Sequence, residues 1–204
     1  MHTKKQKLII RHTENKVRDF LKHNPTPGHD YNHADRVRHF AVRLARAHGG
    51  NIFLCALSGL LHDIGHANDG KNTNTTHHEA SYELCRKWLR EDPVFDYLSK
   101  QEKMIILYSI RNHWNNCTDK YWEAVILRDA DKLDLFGPIL LEREKQHHNR
   151  KWEEIQRDIR FMYDDFYWLR TSTAKRIARG KNFVRWTDRF YKKFLRSREK
   201  SVKL

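Results

Sequence analysis

Four polar side chains stand where the surrounding pattern demands apolar ones. In this chain of 204 residues, His33 lies one turn before Val37, in line with Phe40 and Leu44. Its imidazole therefore points toward the core from the start of a helix. His62 and Asp63 close the apolar run Ile52 to Leu61. Asp131 follows Ala124 and Leu127 and precedes Asp134 and Leu135, so it too faces inward. Taken singly, each has a plainer explanation: a core histidine satisfied by one hydrogen bond, or an aspartate capping a helix. Together, two imidazoles and two carboxylates near one core cannot remain unpartnered, because an unpaired buried carboxylate is expensive. A divalent cation held by mixed nitrogen and oxygen ligands removes that cost.

The elements that must bring these residues together are helices. An apolar period near 3.6 runs through almost the whole chain and no useful alternation appears, so the expected class is all-α. A first helix is expected over residues 3–22, followed by a loop from His23 to Asp30 with Pro25, Pro27 and Gly28. A second begins near Asn32 and stops at Gly49-Gly50. The third follows Asn51 as N-cap and is apolar on nearly every side, which marks a central buried helix. A polar loop is expected over 64–75. Thr76-x-x-Glu79 and Ser99-x-x-Glu102 have the form of capping boxes opening helices at 77–91 and 100–113. Another helix is expected from Asp119 to Phe136, where Gly137-Pro138 stops it. Residues 139–204 read as two or three basic amphipathic helices, with stripes Trp152, Ile155, Ile159, Met162 and Phe183, Trp186, Phe190, Phe194. The expected organisation is a core over 1–138 that carries the site, with 139–204 packed on the same domain.

His33, then His62-Asp63, then Asp131 within Asp129-Ala130-Asp131-Lys132-Leu133-Asp134 resembles the H…HD…D signature of the HD-domain metal-dependent phosphohydrolases. Leu60-Leu61-His62-Asp63-Ile64-Gly65 resembles that family's central motif, and Thr173-Ala174-Lys175 is similar to the tail of a small bacterial HD subgroup. The resemblance implies an HD-domain helical bundle with a basic C-terminal extension. It implies His33, His62, Asp63 and Asp131 as ligands of a divalent ion such as Mn²⁺, Mg²⁺ or Fe²⁺, one ion being favoured over two. It implies a phosphohydrolase in which a metal-activated water attacks phosphorus. Lys132 matches the family's basic residue beside the last ligand and is expected at the substrate phosphate. His66, three residues after Asp63, is a candidate proton shuttle, with a solvated loop histidine as the alternative. His78 and His113 fit loosely the positions of additional ligands or of groups that touch substrate phosphate; a surface role is open too, above all for the adjacent His77. Arg36 is a further phosphate candidate and Arg111 a weaker one, each against a salt-bridge alternative. Asp129 is expected to cap or hydrogen-bond nearby, and Asp134 to support a ligand. The loop 64–75, with Asp69, Gly70 and Lys71, is a candidate lid.

Charge and composition bound the remaining choices. Lys and Arg number 40 against 26 acids, a net +14, of which residues 139–204 carry +10. Such a field favours anionic partners: nucleotides, nucleic acid or acidic surfaces. The expected partner is a phosphorylated small molecule, above all a nucleotide. Two alternatives stay open: a nucleic-acid-binding protein that uses the basic C-terminal helices with Trp152, Tyr163, Trp168 and Trp186, and a non-catalytic ligand-binding HD module. Cys55, Cys85 and Cys117 are odd in number and far apart, which argues against a disulfide framework. No apolar run approaches the roughly 20 residues of a membrane span, and a cytoplasmic protein is expected.

Overall fold

The structure, a computed structural model, describes residues 2–68, 76–137, 139, 143, 164–180 and 192. Among these no strand occurs. The helices are α1 (Lys4–His23), α2 (Tyr31–His48), α3 (Ile52–Leu61), α4 (His77–Glu91), α5 (Lys100–Asn112), α6 (Trp122–Leu133) and α7 (Ser172–Gly180). Two 3-10 turns, Ile64–Asn68 and Pro93–Tyr97, join them.

The short helix α3 is the axis of the molecule. Asn51 caps it, its Oδ1 accepting from the Phe53 and Leu54 amides at 3.1 and 3.2 Å. Every residue from Phe53 to Leu61 is buried. A helix apolar all round must be covered all round, and α3 is covered by two separate cores. Leu57, Leu60 and Leu61 pack with Ile9 and Val17 of α1, Cys85 and Leu89 of α4, and Ile106 and Ile110 of α5. On the other side Cys55 joins Val37, Ala41 and Leu44 of α2, Leu127, Ala130 and Leu133 of α6, and Ala174 and Ile177 of α7.

Two glycines set close approaches that the site depends on. A Cβ on Gly59 would meet the Arg38 backbone at 2.7 Å, so α2 and α3 cross almost in contact. A Cβ on Gly65 would collide with the backbone of Ser81 and His77. The turn after α3 is thus pressed against the first turns of α4, and the Gly65 amide donates to Ser81 Oγ at 2.8 Å.

Several boundaries differ from those expected. Ser99 and Glu102 do form a capping box on α5, and so do Thr3 and Gln6 on α1. Thr76 forms none on α4: its hydroxyl turns to His78 Nε2 at 2.8 Å instead. The α6 helix is shorter than 119–136. It starts after an extended Tyr121, and beyond Leu133 the chain tightens into i→i+3 bonds, Asp134 to Asp131 at 2.9 Å and Leu135 to Lys132 at 3.1 Å. Gly137, at φ 77°, then turns the chain. The first part of the polar loop 64–75 is a 3-10 turn; residues 69–75, and with them the lid, lie outside the described residues. So do the residues of both C-terminal stripes, Trp152, Ile155, Ile159, Met162 and Phe183, Trp186, Phe190, Phe194. No described helix is long and apolar enough to cross a membrane.

Candidate metal centre

Three helix termini meet where α2 begins, α3 ends and α6 ends. Asp30 caps α2, its Oδ1 accepting from the His33 amide at 2.9 Å, and so fixes the first turn that presents the His33 ring. His62 and Asp63 follow α3 directly, and Asp131 comes from the last turn of α6. His33, His62 and Asp63 are buried; Asp131 is partly open. One nitrogen or oxygen of each of the four lies within 4.8 Å of the others. His33 Nε2 is 3.1 Å from His62 Nε2 and 3.3 Å from Asp63 Oδ2. Both imidazole nitrogens stand 3.6 Å from Asp131 Oδ1. Donor atoms sharing an ion at about 2.1 Å are separated by about 3–3.5 Å, so the set has the size of one ion's coordination sphere.

Tautomers make the argument sharper. The Nδ1 of His62 lies 2.9 Å from the Gly59 carbonyl, and that of His113 2.6 Å from the Ile110 carbonyl. A carbonyl only accepts, so each Nδ1 carries a proton. His33 Nδ1 donates in the same way to Asp134 Oδ2 at 2.7 Å. As neutral rings, His33 and His62 therefore aim two lone pairs at one another and at two carboxylates. Only a positive charge between them makes that stable. Burial by itself pushes the His62 imidazole down, but the Asp63 and Asp131 carboxylates outweigh it and lift the group to about 10. In the metal-free protein a proton does the work of the cation. Burial likewise opposes ionisation of Asp63 and Asp131, yet the facing imidazoles hold both carboxyls well below the usual range. Asp63 Oδ1 is buried without a hydrogen bond; the Nε2 lone pair of His113 faces it from 3.3 Å. A mixed N₂O₂ set with one orphaned carboxylate oxygen fits a divalent ion.

Around Asp63 the histidines are denser than the sequence suggested. Two more three-donor groups share this carboxylate: His29, Asp63, His66 and Asp63, His77, His113. The rings of His29, His66 and His77 form a stack, with centroids 3.7 and 4.2 Å apart. Burial holds His29 well below the usual imidazole range, and burial with His66 and His113 nearby lowers His77 to about 4. Both are neutral at pH 7. His66, 3.9 Å from Asp63 Oδ2, is mostly buried and not a solvated loop residue. His78 is more peripheral, stacked on the exposed Trp114 at 5.2 Å.

The expected cations have carboxylate partners. Arg36 grips Asp134 through two bonds of 2.7 and 2.9 Å. Lys132 pairs with Asp165 at 3.1 Å, and Arg111 with Glu79 at 2.7 Å. Asp129, fully buried, accepts from Arg128 and from the Arg170 and Thr171 amides, which ties the chain entering α7 to α6. A cation that sequence reasoning missed stands at the centre instead. Arg143 is buried, its Nη2 is 3.2 Å from His29 Nε2, and its Nη1, without a hydrogen bond among the described residues, stands 3.8 Å from Asp134 Oδ2.

A family model for the HD domain matches residues 30–135, more than half of the chain. The chain belongs to the HD-domain family. Solved HD-family folds superpose over nearly all of it. An HD superfamily hydrolase from an uncultured Thermotogales bacterium covers 92% of the chain and is itself covered to 91%, with a TM-score of 0.64 and 24% identity. YpgQ of Bacillus subtilis in complex with ADP covers 97% and is covered to 96%, with a TM-score of 0.66 and 18% identity. At such identities the likeness is one of fold. Ribonuclease Y of Alkaliphilus metalliredigens is 27% identical over 132 residues, 65% of this chain; the match spans a quarter of that protein's length. The family expected from the HD motif and the all-α class expected from the helical period are thus established.

Proposed function

We propose that this HD-domain protein is a metal-dependent phosphohydrolase acting on a nucleotide or another small phosphorylated metabolite. The observation that carries the proposal is the facing pair of His33 and His62 Nε2 atoms, closed in by Asp63 and Asp131. Those four residues would hold one divalent ion. When bound, that ion supplies a Lewis acid for a phosphoryl oxygen and lowers the pKa of water. The chain's own groups supply the rest. Asp134 and the Gly59 carbonyl lock the ligand tautomers. His66, stacked between two neutral imidazoles, is the residue we assign to move a proton beside Asp63. The Arg143 guanidinium is suited to a phosphate oxygen through a charge-assisted bond: its Nη1 makes no hydrogen bond among the described residues and stands 3.8 Å from Asp134 Oδ2, a looser pairing than Lys132 and Arg36 have with their carboxylates. A relative of the same fold in complex with ADP supports a nucleotide as the ligand class.

Elemental analysis of the purified protein, with phosphate release measured over a panel of nucleotides in Mn²⁺, tests the proposal. One ion per chain and turnover of some nucleotide are expected. His62→Ala and Asp63→Ala each lose both. Unchanged hydrolysis in both variants overturns the assignment, and two ions per chain overturns the single-ion site in favour of a second ion between Asp63, His77 and His113.

A further inference from the structure

A groove of about 680 Å³ runs between α1 and α2 and is lined by none of the four candidate metal ligands. Its floor is aliphatic, formed by Ile10, Val42 and Ala56. Its walls are cationic: Lys7, Arg11 and Arg18 from α1 face Arg38, Arg43 and Arg46 from α2. Among the described residues Glu14 is the one acidic residue lining it, and its carboxylate lies 3.4 Å from Arg38, which also pairs with Asp35 at 2.6 Å. Lys7, Arg11, Arg43 and Arg46 are exposed and pair with no carboxylate among the described residues. Four unpaired cations on two facing walls repel one another, an arrangement that an anion between them relieves. Arg43 and Arg46 lie 10 and 13 residues beyond His33 on α2, so about 15 and 20 Å separate them from the metal ligand along the helix.

The shape and spacing choose among anions. The cations of α1 extend over eleven residues, about 16 Å, too long for one phosphate. The surface is concave, whereas a lipid headgroup layer needs a flat or protruding face. Among the described residues no tryptophan, tyrosine or phenylalanine lines the groove to stack on a base. We infer that the α1–α2 groove binds the sugar–phosphate backbone of a single nucleic-acid strand, without base preference.

Anisotropy titration of a labelled thymidine 20-mer with the full chain, at 50 and 200 mM KCl, tests this inference. Four phosphate contacts give a slope of log K against log salt of about −2.8, so affinity drops about 50-fold between the two salts. Arg11→Glu/Arg43→Glu lowers affinity at least about tenfold and flattens the slope by about 1.4. Lys87→Glu/Lys100→Glu, on exposed cations of α4 and α5, leaves binding as it was. Circular dichroism checks the fold of each, and Arg11→Gln/Arg43→Gln replaces the glutamate pair if that pair unfolds. Metal content and nucleotide turnover stay at the wild-type level in all of them, so the result is independent of the proposed hydrolase. The inference is overturned if the strand does not bind at 50 mM KCl, or if binding survives in the groove variants. It is equally overturned if poly-glutamate of the same length, or anionic vesicles, compete as well as unlabelled strand.

Discussion

At the scale of single residues, the centre is a problem of proton and cation competing for one place. Metal-free, His62 keeps its proton up to about pH 10, whereas an unfolded imidazole loses it near 6.5. Its folded pKa is raised, so its contribution to stability is complete below about 6.5 and is lost as pH climbs toward 10. His77 has the opposite sign. Its folded pKa is depressed to about 4, so its contribution is present above about 6.5 and is lost as pH falls toward 4. Thermal melts in chelator should therefore peak near pH 6.5 and decline on both sides; with Mn²⁺ present the alkaline decline should vanish. Asp134→Asn keeps the shape of the His33 partner but removes its charge. It should weaken Mn²⁺ binding about 10- to 100-fold by calorimetry. Arg143→Met, by losing a charge-assisted contact, should raise KM for the best nucleotide about 10- to 100-fold while metal content holds.

His33, His62, Asp63 and Asp131 were legible because each breaks an apolar stripe, and a stripe is a local pattern. His29 and His77 were not. His29 sits in a loop immediately before the Asp30 cap, and it reaches Asp63 only because Gly28, at φ 76°, turns the chain there. His77 depends on how closely α4 presses on the turn after α3. The partners of Arg36 and Lys132 were hidden for a related reason. They come from Asp134, 98 residues on, and from Asp165, and no periodicity reports a pairing at that range.

At the scale of elements, the contact between the Ile64–Asn68 turn and α4 is the most exacting. Gly65→Ala puts a methyl where the backbone of α4 already stands. Overpacking of this kind costs about 1–3 kcal/mol, and here the displaced element carries His77 and His78. Urea denaturation should read that loss, and the native protein should lose the His66–His77 stack, visible as a shift of imidazole proton resonances. Sequence pattern found α4 and its start at His77 but misjudged the cap, because Thr76 hydrogen-bonds a histidine and not the helix amides. It found α6 and overran both ends, since an extended Tyr121 and a tightening final turn leave the apolar period intact.

At the scale of the whole molecule, thiols report compactness. Cys55 and Cys85 are buried and Cys117 is exposed; burial also pushes both inner thiols up, so neither forms a thiolate readily. One thiol of the three should react with a disulfide reagent in the native state, and all three after unfolding. The full burial of α3 has a different consequence. Since this one helix serves as an inner wall for both cores, neither core can melt and leave the other intact. An ion at 100 times its dissociation constant adds about 2.7 kcal/mol to global stability. Amide exchange in α1, which holds no ligand, should then slow as much as exchange in α6, about a hundredfold. A small ion at one end of the bundle thereby sets the lifetime of every helix packed around that wall.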